Sequence, residues 1–132
     1  MVASTLEVPM VCRGIRGATT AERNSQEAIL EATKELYLAV LERNGIAPDD
    51  IGAVLVTATP DLDATFPARA IRELGHVHVP LTCAVEMAVP NSLPLCVRLL
   101  LLVNTEKSAQ EVSHVYLREA VRLRPDLVKA AP

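Results

Sequence analysis

Leu95-Cys96-Val97-Arg98-Leu99-Leu100-Leu101-Leu102-Val103-Asn104 is apolar but for one internal arginine and a closing asparagine. A run of this length and composition, entered from the Pro90–Pro94 segment and followed by the polar residues 105–111, predicts a strand buried in a sheet. Side chains alternate across a strand, so Arg98 shares one face with Cys96, Leu100 and Leu102. An unpaired guanidinium among leucines would cost several kcal/mol, which predicts either a carboxylate partner or an anionic ligand. A satisfied internal ion pair and a ligand-binding arginine are equally open at this point.

The flanking sequence supplies the rest of a sheet. Residues 10–18 read as a strand carrying Gly14 and Gly17. Asn24 followed by Glu27 has the form of a helix capping box, and Ile29, Ala32, Leu36 and Val40 recur at helical spacing before Gly45 stops the pattern. Residues 51–58 form a nearly continuous apolar run that suits a strand buried on both faces. After the turn Thr59-Pro60-Asp61, Pro67 opens a second helix that runs to Leu74 and closes at Gly75. A short strand over 77–82, a loop over 90–94 and another strand over 112–117 follow, and 118–127 forms a short helix or an ordered wrap. The order β-α-β-α-β-β-β predicts an α+β fold, a mixed sheet with helices on one face. Its other face needs cover, and self-association is the simplest source. With no internal repeat, the chain reads as a flexible N-terminal extension (1–9), one domain (10–127) and a C-terminal tail (128–132).

Composition narrows the function. Half of the 132 residues are apolar, yet Phe66, Tyr37 and Tyr116 are the sole aromatics, so packing rests on aliphatic side chains. A net charge of −3 gives no general attraction for nucleic acid or an anionic membrane. The apolar run from 99 to 103 is far too short to span a bilayer. Ten arginines against three lysines hint at an anionic ligand, because the planar guanidinium pairs with carboxylates, although a GC-rich genome gives the same skew. Three cysteines without scaffold spacing, and a start lacking the features of a signal peptide, point to a reducing cytoplasm.

Other polar residues sit where they are costly. Glu86 lies between Cys83-Ala84-Val85 and Met87-Ala88-Val89, so it either pairs with an arginine, meets a ligand hydroxyl, or sits on a surface loop. Arg16 lies in Gly14-Ile15-Arg16-Gly17, where small neighbours allow a ligand near the backbone. Arg69 and Arg72 fall near one face of the second helix, a placement that solvated arginines also adopt. Cys83, Cys96, His76, His78 and His114 match no paired-ligand spacing, so no metal site is expected. Nucleophile triads, Walker loops and dinucleotide fingerprints are missing from the sequence. These residues alone lead as far as an arginine-lined pocket for a small polyanion.

Several strings together resemble the AroH-class chorismate mutases. They are Arg13-Gly-Ile-Arg16-Gly-Ala-Thr-Thr20, Ala58-Thr-Pro-Asp-Leu62, Phe66-Pro-Ala-Arg-Ala70 and Arg72-Glu-Leu74, then Val79-Pro-Leu-Thr-Cys83, Glu86-Met87, Cys96-Val-Arg98, His114-Val-Tyr-Leu117 and Leu123-Arg-Pro-Asp-Leu127. They follow the family's order and spacing from residue 11 to 127. Arg69 stands where Lys is common, Asn91 where Gly is usual, and Leu95 where a basic residue is frequent.

The resemblance implies a homotrimer whose sheets pack into a barrel-like core, with an active site at each subunit interface. It implies the cofactor-free Claisen rearrangement of chorismate to prephenate in phenylalanine and tyrosine biosynthesis. Arg98 would face the ether oxygen and a carboxylate, Arg16 would bind a carboxylate, and Tyr116 would donate a hydroxyl. Glu86 and Cys83 would serve the ring hydroxyl. Phe66, Ala68, Arg69, Arg72, Leu81 and Thr82 would shape the wall and mouth, with Leu123 and the tail as a cover. Two rivals are a trimer of similar build, such as the small imine deaminases, and a non-catalytic or regulatory trimer that binds a small carboxylate ligand.

Overall fold

The computed structural model describes residues 9–128. In chain order the elements are β1 (Val11–Thr20), α1 (Gln26–Asn44), β2 (Ile51–Ala58), α2 (Arg69–Arg72), β3 (Leu81–Val85), β4 (Cys96–Thr105), β5 (Val115–Tyr116) and α3 (Pro125–Val128). A 3-10 turn precedes β2 (Pro48–Asp50) and a longer one follows β5 (Arg118–Leu123). The expected 1–9 extension and 128–132 tail lie, but for Pro9 and Val128, outside the described residues.

The strands form one mixed sheet in the order β3-β2-β4-β1-β5. β4 is antiparallel to both β1 and β2, while β3 runs parallel to β2 and β5 parallel to β1. Alternation along β4 holds as the sequence predicts: Val97, Leu99, Leu101 and Val103 are buried, and Arg98, Leu100, Leu102 and Asn104 are exposed. The buried set joins Ile15, Val54, Val56 and the inward stripe of α1 in one core. α1 contributes Ile29, Ala32, Leu36, Tyr37 and Val40 at helical spacing. Burying each large aliphatic side chain stabilises the fold by roughly 1.5–3 kcal/mol.

α1 is capped one residue later than the expected box. Ser25, not Asn24, is the N-cap, and its hydroxyl accepts from the Ala28 amide at 3.1 Å. Asn24 instead reaches across the chain. Its side-chain oxygen accepts the amides of Asp63 and Ala64, and its amide donates to the Asp63 carboxylate at 2.7 Å. Gly45 closes the helix in the left-handed region (φ 61°), as its placement predicts. Gly17 lets α1 approach the sheet: a Cβ there would stand 3.1 Å from Leu36 Cδ1 and 3.2 Å from Val40 Cγ2. Gly17→Val should therefore lower the unfolding free energy by about 1–3 kcal/mol through overpacking. Urea unfolding measures it, and unchanged stability would show that α1 can shift freely.

Four expectations are corrected. β2 is buried on one face only: Val54, Val56 and Ala58 enter the core, while Leu55 is exposed on the other side. α2 is a single turn, because most bonds around it span three residues, such as Arg69 N–H to Phe66 O and Gly75 N–H to Arg72 O. The third strand starts at Leu81 rather than Val77. Residues 75–79 are consumed by a tight turn, and the Pro80 carbonyl accepts the Val54 amide at 2.9 Å to set the register with β2. The fifth strand shrinks from 112–117 to two residues, since side chains replace the rest of its ladder.

The sheet face opposite α1 is bare across its middle. Leu55, Leu100 and Leu102 are 39, 37 and 41 % exposed there. Among the described residues it is covered at the β5 edge, where Ala18, Tyr116 and Ala120 form a small cluster with Leu93 and Leu123 packed against it. Asn91 takes φ 66°, the left-handed geometry that asparagine accepts in place of glycine.

Candidate active site

The register aligns one row of residues across all five strands. Ala84 pairs with Thr57, Thr57 with Arg98, Arg98 with Ala18, and Ala18 with Tyr116. The next row on the same face runs Thr82, Leu55, Leu100, Arg16. Neighbours in register point the same way, so the two rows bring Arg98, Arg16 and Tyr116 onto the bare face although they are far apart in sequence. Ala18 stands between Arg98 and Tyr116, and its small side chain leaves a hollow. A concavity of about 240 Å³ results, lined by Arg16, Ala18, Leu55, Thr57, Arg98 and Tyr116 with their neighbours.

Arg98 has a carboxylate partner. Its Nε lies 3.5 Å from Glu86 Oε2, with the two side chains 45 and 24 % exposed. The same oxygen accepts a 2.6 Å hydrogen bond from Thr57 Oγ1. Glu86 is brought there by its own amide, which donates to the Ala58 carbonyl at 2.9 Å and extends the β2–β3 pairing by one residue. The expected ion pair exists, but at the rim of a hollow rather than inside a packed core. No second carboxylate pairs with Arg98 among the described residues, so guanidinium donors remain for an anion. Arg16 forms no ion pair among the described residues. Burial pushes the Cys96 thiol up, against the lowering effect of the adjacent Arg98.

The loop before β4 fixes where the strand that carries Arg98 begins. Leu95 sits at φ 53°, held by its amide on the Asp61 carboxylate (3.0 Å) and by its carbonyl, which accepts the Ala21 amide at 2.8 Å. The Thr59 hydroxyl then takes the Cys96 amide at 2.9 Å, starting β4 in a fixed register.

The remaining predicted residues lie elsewhere. Cys83 pairs in register with Val56, two positions on from Leu81 with Val54, and so belongs to the helix side of the sheet. It lines a second concavity of about 540 Å³ with Phe66, Pro67, Asp63 and Val85. Cys83 therefore stands apart from Arg98, Glu86, Arg16 and Tyr116 within one chain. Ala68 is buried, while Phe66 is largely exposed. Arg69 is engaged by Glu73 (2.8 Å), Thr65 and Gln26, and Arg72 is exposed. Leu123 packs on the Tyr116 cluster, at the edge of the first concavity.

Thr57 was not singled out by the sequence reading. As the polar member of an apolar run, two residues after Leu55, it carried a signal that strand alternation makes visible once one face of β2 is bare. Among the described residues no three His, Cys, Asp or Glu side chains come together as a metal site, and no helix is long and apolar enough to cross a membrane. His76 instead meets the buried Tyr37 hydroxyl at 2.8 Å, and burial raises Tyr37 to about 12.

An arginine–glutamate pair with a second arginine and a tyrosine, on a five-stranded mixed sheet, makes a candidate small-anion site on an α+β fold. The family model described as chorismate mutase type I matches residues 12–127, and the chain belongs to that family. It is 49 % identical over 119 residues to the chorismate mutase AroH of Bacillus subtilis (strain 168), covering 89 % of this chain and 94 % of that one. Over 119 residues it is 54 % identical to the chorismate mutase AroH of Thermus thermophilus, covering 89 and 98 %. A solved chorismate mutase from Clostridium thermocellum superposes with a TM-score of 0.81 at 42 % identity, covering 82 % of this chain and 96 % of that structure.

Proposed function

We propose that the chain is a chorismate mutase that rearranges chorismate to prephenate in the hollow formed by Arg98, Arg16 and Tyr116. The observation that carries this reading is the shared geometry of Arg98, Glu86 and Thr57 on the bare sheet face. The rearrangement breaks a C–O bond and forms a C–C bond within one molecule, so no nucleophile, general base or cofactor is required. Two demands remain. The substrate must be held folded so that its reacting carbons meet, and charge growing on the ether oxygen must face fixed positive charge.

Arg98 meets the second demand, and it also grips a carboxylate. Arg16 takes a carboxylate from the adjacent row, and Tyr116 donates its hydroxyl. Thr57 and Arg98 both engage Glu86 Oε2, which leaves Oε1 to accept from the ring hydroxyl. The regulatory-trimer alternative is not favoured, since a binding protein has no use for a cation aimed at a transient oxyanion.

The first concavity, at about 240 Å³, is smaller than the roughly 300 Å³ at which ligand pockets begin. A homotrimer resolves the shortfall. Packing of the bare leucine faces around a barrel-like core would bring the Phe66–Cys83 concavity of one subunit against the Arg98 hollow of the next. Phe66, Ala68, Arg69, Arg72, Leu81, Thr82 and Cys83 then supply the second wall, with Leu123 as a cover. We place the reaction in the cytoplasm, on the strength of three free cysteines, two of them exposed.

Purified protein added to chorismate, followed by ultraviolet absorbance, tests the activity: rapid loss with prephenate appearing is expected. The rate should be nearly constant from pH 6.5 to 8.5 and show no solvent isotope effect, because arginines stay charged and no proton moves. A bell-shaped profile centred on an ordinary histidine value would contradict it.

A further inference from the structure

We infer that His114 is a positioning residue, whose Nδ1 holds the backbone of Arg16 and thereby sets Arg16 and Tyr116 in their places relative to each other. This rests on the proposed roles of those two side chains and goes beyond them. The Arg16 amide donates to His114 Nδ1 at 3.0 Å, a side-chain acceptor standing where a neighbouring strand's carbonyl would end the ladder. β5 has only two residues, so it needs such substitutes.

The others lie on either side of it. Buried Asn44 clamps Ser113 twice, accepting its amide at 2.7 Å and donating to its carbonyl at 2.9 Å. Leu117 N–H closes the far end on the Ala18 carbonyl at 2.9 Å. Asn44 anchors β5 to the helix, and Leu117 anchors it beyond the site. Beside the short ladder of Gly17 with Val115 and Ala18 with Tyr116, His114 adds the side-chain contact that takes up the amide of the residue carrying the substrate-facing guanidinium.

An amide N–H can only donate, so Nδ1 must be bare and His114 neutral with its proton on Nε2. Protonation puts a hydrogen on Nδ1 and breaks the contact. The charged groups around the imidazole are Arg16 on β1 and Arg124 beyond the 3-10 turn, the latter bound to Asp126. Burial and both arginines hold the imidazole below its usual range, so the bond survives at neutral pH and fails only in acid. A flat neutral rate and an acid limb are thus compatible.

The test compares His114→Asn, which keeps an acceptor close to the Nδ1 position, with His114→Phe, which removes it and retains bulk. kcat/KM should fall about tenfold in His114→Phe, chiefly through KM, and stay within about threefold in His114→Asn. The wild-type acid limb should move to lower pH in His114→Asn. Full activity in His114→Phe, or an identical acid limb in the wild type and His114→Asn, overturns the inference. The nitrogen chemical shifts of His114 give a readout independent of turnover. A bare Nδ1 at pH 7 is expected, and a protonated one also overturns it. Should the wild type fail to convert chorismate while the shifts behave as stated, the functional reading falls and the His114 contact stands.

Discussion

Arg98→Ala should lower kcat/KM by at least ~10³-fold, about 4 kcal/mol of transition-state stabilisation, as for loss of a preorganised donor to a developing oxyanion. The fold should survive the change. Arg98 is nearly half exposed and its contact with Glu86 is long, so the pair contributes at most about 1 kcal/mol to stability in the open chain. Arg98→Lys should also be poor. A guanidinium can present Nε to Glu86 and its terminal nitrogens to the substrate at once, whereas an ammonium is a single point of charge on a flexible stem. Steady-state loss of chorismate, with circular dichroism as the control, measures both. Near-wild-type turnover in the two variants would remove Arg98 from the mechanism.

The central part of the fold was legible because it depends on local periodicity. α1 and β4 bury one stripe each, and the spacing of Leu36 and Val40, or of Leu99 and Leu101, records which. The elements that moved depend on partners distant in sequence. β3 carries no alternation of burial, so its start is fixed by the Pro80–Val54 bond and not by its own pattern. β5 is shortened because Asn44 and His114 do the work of ladder groups, and no window around 112–117 reveals that. Asn24 satisfies every local rule for a cap, yet it is taken by Asp63 and Ala64.

The site divides in the same way. A lone Arg98 in an apolar run, and a lone Glu86 among small apolar residues, were visible as placements that called for a charged partner or a ligand, without naming which. Their meeting comes from cross-strand register: Thr57 stands opposite Arg98 on one side and Ala84 on the other, which fixes where β3 delivers the chain to Glu86. Resemblance supplied Cys83 and Phe66 as members of one site, and within one subunit they line a concavity separate from the Arg98 hollow. Both statements hold if the site is completed between subunits.

That division leads to the second large effect, at Leu102. This side chain is 41 % exposed on the bare face but does not line the Arg98 concavity, so its replacement reports on association and not on substrate contact. In the proposed trimer a carboxylate at this position is carried into a leucine-lined core with no partner. The expected cost is on the order of 3–5 kcal/mol per subunit. Three copies of the change act on one assembly, so Leu102→Asp should sediment at the mass of the 14.2 kDa chain at micromolar concentration. Its kcat/KM should fall at least ~10²-fold, and partial recovery is expected at high protein concentration, because mass action favours reassembly. Leu102→Met, apolar and of similar volume, should keep both mass and rate. A Leu102→Asp protein that sediments and turns over like the wild type would mean that each chain builds a complete site alone, and the second wall would then have to be sought within the subunit.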